Sequence, residues 1–162
     1  MLIAFFIWLL TKLGVSIRPE RLHELEDEFY RRPTLVSVHF GRAFISDASD
    51  ARIFGIGYQR YPGTQRYFGV GMTTDIVMPR DVHAIGHAEF MIALQAVAHP
   101  VRALELSYAF GGYWKQPHEL EPFNRWGIGY RVMAVKLAPV PSVWLDLVGK
   151  EPRFLIGAAL EF

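Results

Sequence analysis

The sequence predicts an all-β protein, an eight-stranded antiparallel up-and-down transmembrane β-barrel with a short N-terminal amphipathic helix. Three observations predict it. From Thr34 onward, large apolar residues recur at every second position through eight segments. The face opposite them is mostly glycine, alanine and serine with isolated charges. The segments are joined by short connections rich in Pro, Gly, Asp and Ser.

Composition bounds the problem before any element is placed. A chain of 162 residues, 51% hydrophobic, 14% aromatic and 20% charged, is one domain's worth of sequence and excludes a disordered chain. Seventeen basic residues nearly cancel 16 acidic ones, so no global field attracts nucleic acid. The absence of cysteine excludes disulfides, thiolate catalysis and cysteine-based metal sites.

Residues 1–15 read as a hydrophobic N-terminal segment. The apolar run Met1–Leu10 is about half the roughly 20 residues that a membrane-crossing helix needs. It has no basic segment before it and no small-x-small cleavage site before Arg18, so it reads as a truncated export signal or an interfacial helix. Residues 16–33 read as an amphipathic helix. It starts at Ser16-Ile17-Arg18-Pro19, repeats Leu22, Leu25 and Phe29 at helical spacing, and stops at Pro33. It is expected either to tuck against the body as a solvated surface helix or to lie in a membrane interface.

Residues 34–162 read as the barrel. The first strand, Thr34–Ile45, sets Val36, Val38, Phe40 and Phe44 against Leu35, Ser37, His39, Gly41 and Ala43. The large faces of the next strands carry Phe54, Ile56 and Tyr58; Phe68, Val70 and Met72; and Phe90, Ile92 and Leu94. Then come Leu104, Leu106, Tyr108 and Phe110; Trp126, Ile128, Tyr130 and Val132; Val143, Leu145 and Leu147; and Phe154 to Phe162. Connections are expected at Ser46–Asp50, Pro62–Gln65, Pro79–Asp81, His99-Pro100, Lys115–Pro122, Ala138–Pro141 and Gly149–Pro152.

A soluble sandwich would turn the bulky face inward and leave a densely polar face outside. Here the second face is small-sided and sparsely charged, as suits the crowded bore of an eight-stranded barrel, so the bulky face meets lipid. A soluble lipocalin-type barrel, with its heavy side chains in the bore, is the competing architecture. Tyr61, Tyr67, Trp114, Phe123, Trp126 and Phe162 lie near segment ends and are expected to form interfacial girdles.

The inward titratable set is His39, Asp75, His87, Glu89, Glu105, Arg125, Arg131, Asp146 and Glu161. Buried charges must pair, so these residues read as an interior polar network. His83, His87 and Glu89 give no metal site, because residues four apart on a strand are separated by about 13 Å. Ser37 and His39 share a face about 6.6 Å apart, with no nucleophile elbow around the serine. No cofactor or metal is expected.

The last segment, with apolar residues at alternate positions from Phe154 to Phe162, resembles the carboxy-terminal assembly signal of bacterial outer-membrane barrels. The resemblance implies recognition by the barrel assembly machinery and a bacterial outer-membrane location. It also implies both termini in the periplasm, and loops after strands one, three, five and seven facing outside.

The amphipathic helix, His39 within Val38-His39-Phe40-Gly41-Arg42-Ala43-Phe44, and Asp75 in the third strand together resemble the lipid A palmitoyltransferases. The resemblance implies His39 and Asp75 as catalytic residues, and phospholipid and lipopolysaccharide as partners. The serine that follows the family's aspartate is replaced here by Ile76. A His, a carboxylate and a hydroxyl activate an alcohol for acyl transfer, and inner-face glycines such as Gly55, Gly57, Gly127 and Gly129 either leave room for an acyl chain or relieve crowding. The alternative is a non-enzymatic outer-membrane barrel with a structural or adhesive role. What separates them is a bore plugged by paired charges against one holding an open apolar pocket.

Overall fold

The computed structural model describes residues 19–45, 50–63, 67–79, 88–115, 119–132 and 138–162. Among the described residues, one helix precedes eight strands: α1 (Pro19–Arg31), β1 (Thr34–Ile45), β2 (Asp50–Arg60), β3 (Phe68–Pro79), β4 (Glu89–Val101), β5 (Leu104–Lys115), β6 (Glu119–Tyr130), β7 (Ala138–Val148) and β8 (Glu151–Glu161). Each strand pairs antiparallel with its sequence neighbour, and β1 pairs with β8, so the barrel is closed. Closure leaves no unpaired sheet edge, which is the condition for a sheet to sit in hydrocarbon.

The register fixes the shape. Followed through paired residues Leu35, Gln59, Gly71, Gln95, Ala109, Arg125, Asp146 and Arg153, the ladder returns to β1 at Ile45, ten residues past its start. Eight strands with that shift tilt by about 40°, taking roughly 3.3 Å per residue and 4.8 Å between strands. A 12-residue strand such as β1 then rises about 30 Å, enough for the roughly 25 Å apolar band of a membrane barrel.

The two faces separate as alternation predicts. Phe40, Ile56, Met72, Leu94, Phe110 and Ile128 point outward and are each roughly half exposed. The bore holds Ala43, Ala51, Ile53, Met91, Ala93, Tyr113, Phe123 and Leu155, together with the buried polar residues. A lipocalin-type arrangement is thereby overturned, because the heavy apolar side chains coat the outside.

Several boundaries differ from expectation. β4 continues through His99-Pro100 to Val101, and the turn falls at Arg102-Ala103. β6 begins at Glu119, so the expected Lys115–Pro122 connection shortens to residues 116–118. β7 already includes Ala138–Pro141. Pro139 and Pro141 are tolerated there because β7 pairs with β8 at those positions, while its pairing with β6 starts only at Ser142. Tyr61 and Phe123 are not girdle residues; both are buried inside, on the inward phase of their strands. Tyr67, Trp114, Trp126 and Phe162 are exposed on the outside.

The helix begins at Pro19, whose missing N–H costs nothing in the first turn. Its last turn docks across one mouth of the barrel. Phe29 and Tyr30 are buried against Leu35, Tyr61 and Ala138, at the ends of β1, β2 and β7. The Tyr30 hydroxyl donates to the Arg102 carbonyl (2.7 Å), and the Arg131 guanidinium lies 5.7 and 5.6 Å from the Phe29 and Tyr30 rings. The connections at the opposite end span residues 46–49, 80–88, 116–118 and 149–150. Residues 1–18, covering the hydrophobic segment and the start of the expected helix, and His83 and His87 lie outside the described residues.

Candidate functional site

The bore is filled in three tiers. The middle tier is a row of paired positions in which Gly55 of β2 stands opposite His39 of β1 on one side and Asp75 of β3 on the other. A β-carbon on Gly55 would collide with both side chains. Its absence lets His39 and Asp75 meet across the intervening strand, and His39 Nε2–H donates to Asp75 Oδ1. The second Asp75 oxygen accepts from Arg125 Nη1 (2.5 Å). Arg125 then holds Asp146 with both Nε (2.7 Å) and Nη2 (2.8 Å). All four side chains are buried. Two carboxylates thus share one guanidinium and one imidazole, with oxygen and nitrogen atoms satisfied in the manner that a buried charge requires.

Trp144 roofs this tier. Its indole lies 5.9 Å from the Arg125 guanidinium and its ring 6.3 Å from His39. A β-carbon on Gly127 would lie 2.5 Å from Trp144 Cδ1, and one on Gly157 would lie 2.8 Å from its Cζ3. The room left by these glycines is occupied by an indole of the chain itself.

The tier beside the loop-bearing end joins Glu89, Tyr113 and Arg153. The Tyr113 hydroxyl donates to Glu89, and Arg153 Nη1 donates to the Tyr113 oxygen (2.5 Å) and to Glu89 (3.3 Å). The tier beside α1 centres on Arg131. It pairs with Glu161 (2.5 Å) and Glu105 (3.3 Å), and its Nη1 donates to Nδ1 of His99 (3.5 Å). His99 Nε2–H can then donate to the Tyr61 hydroxyl (3.0 Å), which donates to Gln59 (2.6 Å).

Of the sequence-predicted set, His39, Asp75, Arg125 and Asp146 come together, as do Arg131, Glu105 and Glu161. Glu89 belongs to the third group, and His87 is outside the described residues. Sequence reasoning missed Arg153, Tyr113, Tyr61 and His99. Each stands at an inward position of a strand that alternation, extended by a residue or two, would have reached.

A cavity of about 30 Å³ lies beside His39, bordered by Ser37, Gln59, Thr73, Gln95, Arg125, Ser142 and Trp144. That volume holds one or two waters; ligand pockets run to roughly 300–1,000 Å³. The hydroxyls facing it belong to Ser37, Thr73 and Ser142, and Ile76 points outward, away from His39. Among the described residues, no cluster of metal-ligating side chains is present.

No protein-family model matches the chain, and no curated protein does. Solved structures do. A structure reported under the design of de novo transmembrane β-barrels superposes with a TM-score of 0.61 at 15% identity, covering 82% of this chain and 99% of the designed one. A designed barrel solved in solution by NMR gives 0.59 at 17% identity, covering 80% and 94%. Neisserial surface protein A gives 0.47 at 8% identity, covering 79% and 94%. The first two likenesses bear out the fold: this chain is a closed, eight-stranded antiparallel β-barrel, the architecture of these designed transmembrane barrels.

Proposed function

We propose that the protein is a non-enzymatic integral barrel of the bacterial outer membrane, with a structural role and a sealed bore. The filled bore carries the reading. Three tiers of paired charges, Trp144 and the docked helix leave a cavity of about 30 Å³ beside His39, and no acyl chain fits there. The connections at the end remote from α1 are short, which favours a structural barrel over one that displays adhesive loops. The membrane is the outer one because closed antiparallel barrels with an apolar coat are its characteristic spanning proteins. β8, with Phe154, Ile156 and Phe162 outward, is the strand offered to the assembly machinery.

One observation favours the acyltransferase reading, the hydrogen bond between His39 and Asp75. A single assay separates the two. Folded protein in detergent is given acyl-labelled phospholipid and lipid A, and label on lipid A is measured. The structural reading predicts no transfer above the protein-free control. Transfer that His39→Ala and Asp75→Ala both abolish would overturn it and establish the acyltransferase.

A further inference from the structure

The lipid-facing coat is interrupted at mid-depth. In the middle of the strands, the outward positions of the described residues carry apolar or aromatic side chains except at Thr74 of β3 and Asn124 of β6. Asn124 stands between the buried Phe123 and Arg125, and it pairs with the outward Phe110 on β5 and with Leu147 on β7. Its depth follows from the exposed aromatics on either side. Leu120, the ladder partner of Trp114, lies four residues toward the loop-bearing end, a rise of about 10 Å at the tilt given above. Tyr130 lies six residues the other way, about 15 Å. Together these span the roughly 25 Å of an apolar band, so the Asn124 amide sits near its centre.

Hydrocarbon offers that amide neither water nor an acceptor. The Tyr108 hydroxyl donates to Asn124 Oδ1 (2.8 Å), which takes one lone pair of the oxygen and leaves the other. Among the described residues, no group accepts from Asn124 Nδ2. An unpaired donor is costly at this depth, and acyl tails cannot satisfy it. A second copy of the chain can. A two-fold axis along the membrane normal sets the same residue of both copies at the same depth, and an amide is donor and acceptor at once, hence complementary to itself. Toward the loop-bearing end the next outward positions are Pro122 and its ladder partner Gly112, so no long side chain stands beside Asn124 there. Small residues at such contacts let two backbones approach closely.

We propose that the outer face of β5 and β6 around Asn124 is the contact surface of a two-fold homodimer in the membrane, in which Asn124 and the partner's Asn124 exchange Nδ2–H to Oδ1 hydrogen bonds. The inference rests on the membrane reading of the barrel and is independent of whether the bore has any activity.

The test is resonance energy transfer in lipid vesicles. The chain has no cysteine, so K150C in the exposed β7–β8 turn carries the donor or the acceptor dye in every protein compared. Heat-shifted gel mobility checks folding, and flotation with the vesicles checks insertion. The expected result is transfer above random mixing that falls on dilution with lipid as a dimer dissociates. N124L requires about tenfold more protein per lipid for the same transfer, the loss of two hydrogen bonds of the strength found between membrane segments. N124Q, which keeps the amide, stays within about threefold of the wild type, and T74L, on the opposite wall, within about twofold. Wild-type donor mixed with N124L acceptor associates as weakly as N124L alone, because either amide is unpaired without the other. If N124L does not fold, N124A must show the same loss. Transfer at the random level in the wild type, an unchanged N124L, equal loss in N124Q or T74L, or a mixed pair as tight as the wild type would each overturn the proposal alone. A folded barrel that does not float with the vesicles would overturn the membrane reading and the proposal with it.

Discussion

Arg125 grips Asp146 in the centre of the bore with two parallel hydrogen bonds, Nε to Oδ1 at 2.7 Å and Nη2 to Oδ2 at 2.8 Å. Its remaining nitrogen, Nη1, reaches Asp75. One cation therefore holds two carboxylates that the low-dielectric interior would otherwise leave uncompensated. Arg125→Leu is expected to destabilise the barrel by about 3–5 kcal/mol, because removing one partner strands buried charges. The triple variant Arg125→Leu/Asp75→Asn/Asp146→Asn should recover much of that loss. Urea unfolding in lipid vesicles, followed by gel mobility, reads both; a fully stable single variant would show that the network contributes nothing.

Gly55→Ala tests how His39 and Asp75 come to meet. The new methyl group would occupy the space where the two side chains join. A loss of about 1–3 kcal/mol is expected, as for other overpacked interiors. Gly63→Ala, in the exposed β2–β3 connection, is the control and should be close to neutral.

Trp144 fills the space above Gly127 and Gly157. Trp144→Ala is expected to cost about 3–5 kcal/mol and to open a cavity beside His39. Single-tryptophan variants check the orientation independently: brominated lipid should quench Trp114 and Trp126, which face outward, and leave Trp144 bright. Quenching of Trp144 alone would mean that the faces are assigned the wrong way round.

The seal at the α1 end has a pH signature. Burial pushes the Tyr30 phenol above its usual value, against the opposing influence of the Arg131 charge. The docked helix therefore favours neutral Tyr30. Its contribution is fully present below the ordinary tyrosine pKa of about 10 and is lost as pH rises through the higher folded-state value. Limited proteolysis at Arg31-Arg32 should accelerate above about pH 10 in the wild type, and Tyr30→Phe should weaken that dependence. The exposed Asp27–Arg102 pair (2.9 Å) matters far less, with Asp27→Asn costing about 1 kcal/mol or less.

How much of this was legible in the sequence depends on whether a feature is local. Alternation along one strand assigns a side chain to a face, so the lipid coat and the inward placement of His39, Asp75, Arg125 and Asp146 could be read residue by residue. Errors arose at strand ends, where the pattern was cut short. Starting the sixth strand near Arg125 put Phe123 among the girdle aromatics, and starting the eighth at Phe154 omitted Arg153. The row His39, Gly55, Asp75 was not legible, because it depends on the register between three strands. That register follows from closure with a ten-residue shift, a property of the whole barrel. Whether the glycines held a ligand or a side chain was likewise undecidable until Trp144 was seen to lie over Gly127 and Gly157.

The sealed bore is tested most directly by ion conductance. Protein inserted into a planar lipid bilayer, with insertion verified by heat-shifted mobility of the same preparation, should produce no discrete current steps above the bare membrane. An eight-stranded bore only just admits side chains, and here charged tiers and the docked helix close it. Reproducible unitary steps from the wild-type protein would contradict the closed, structural barrel.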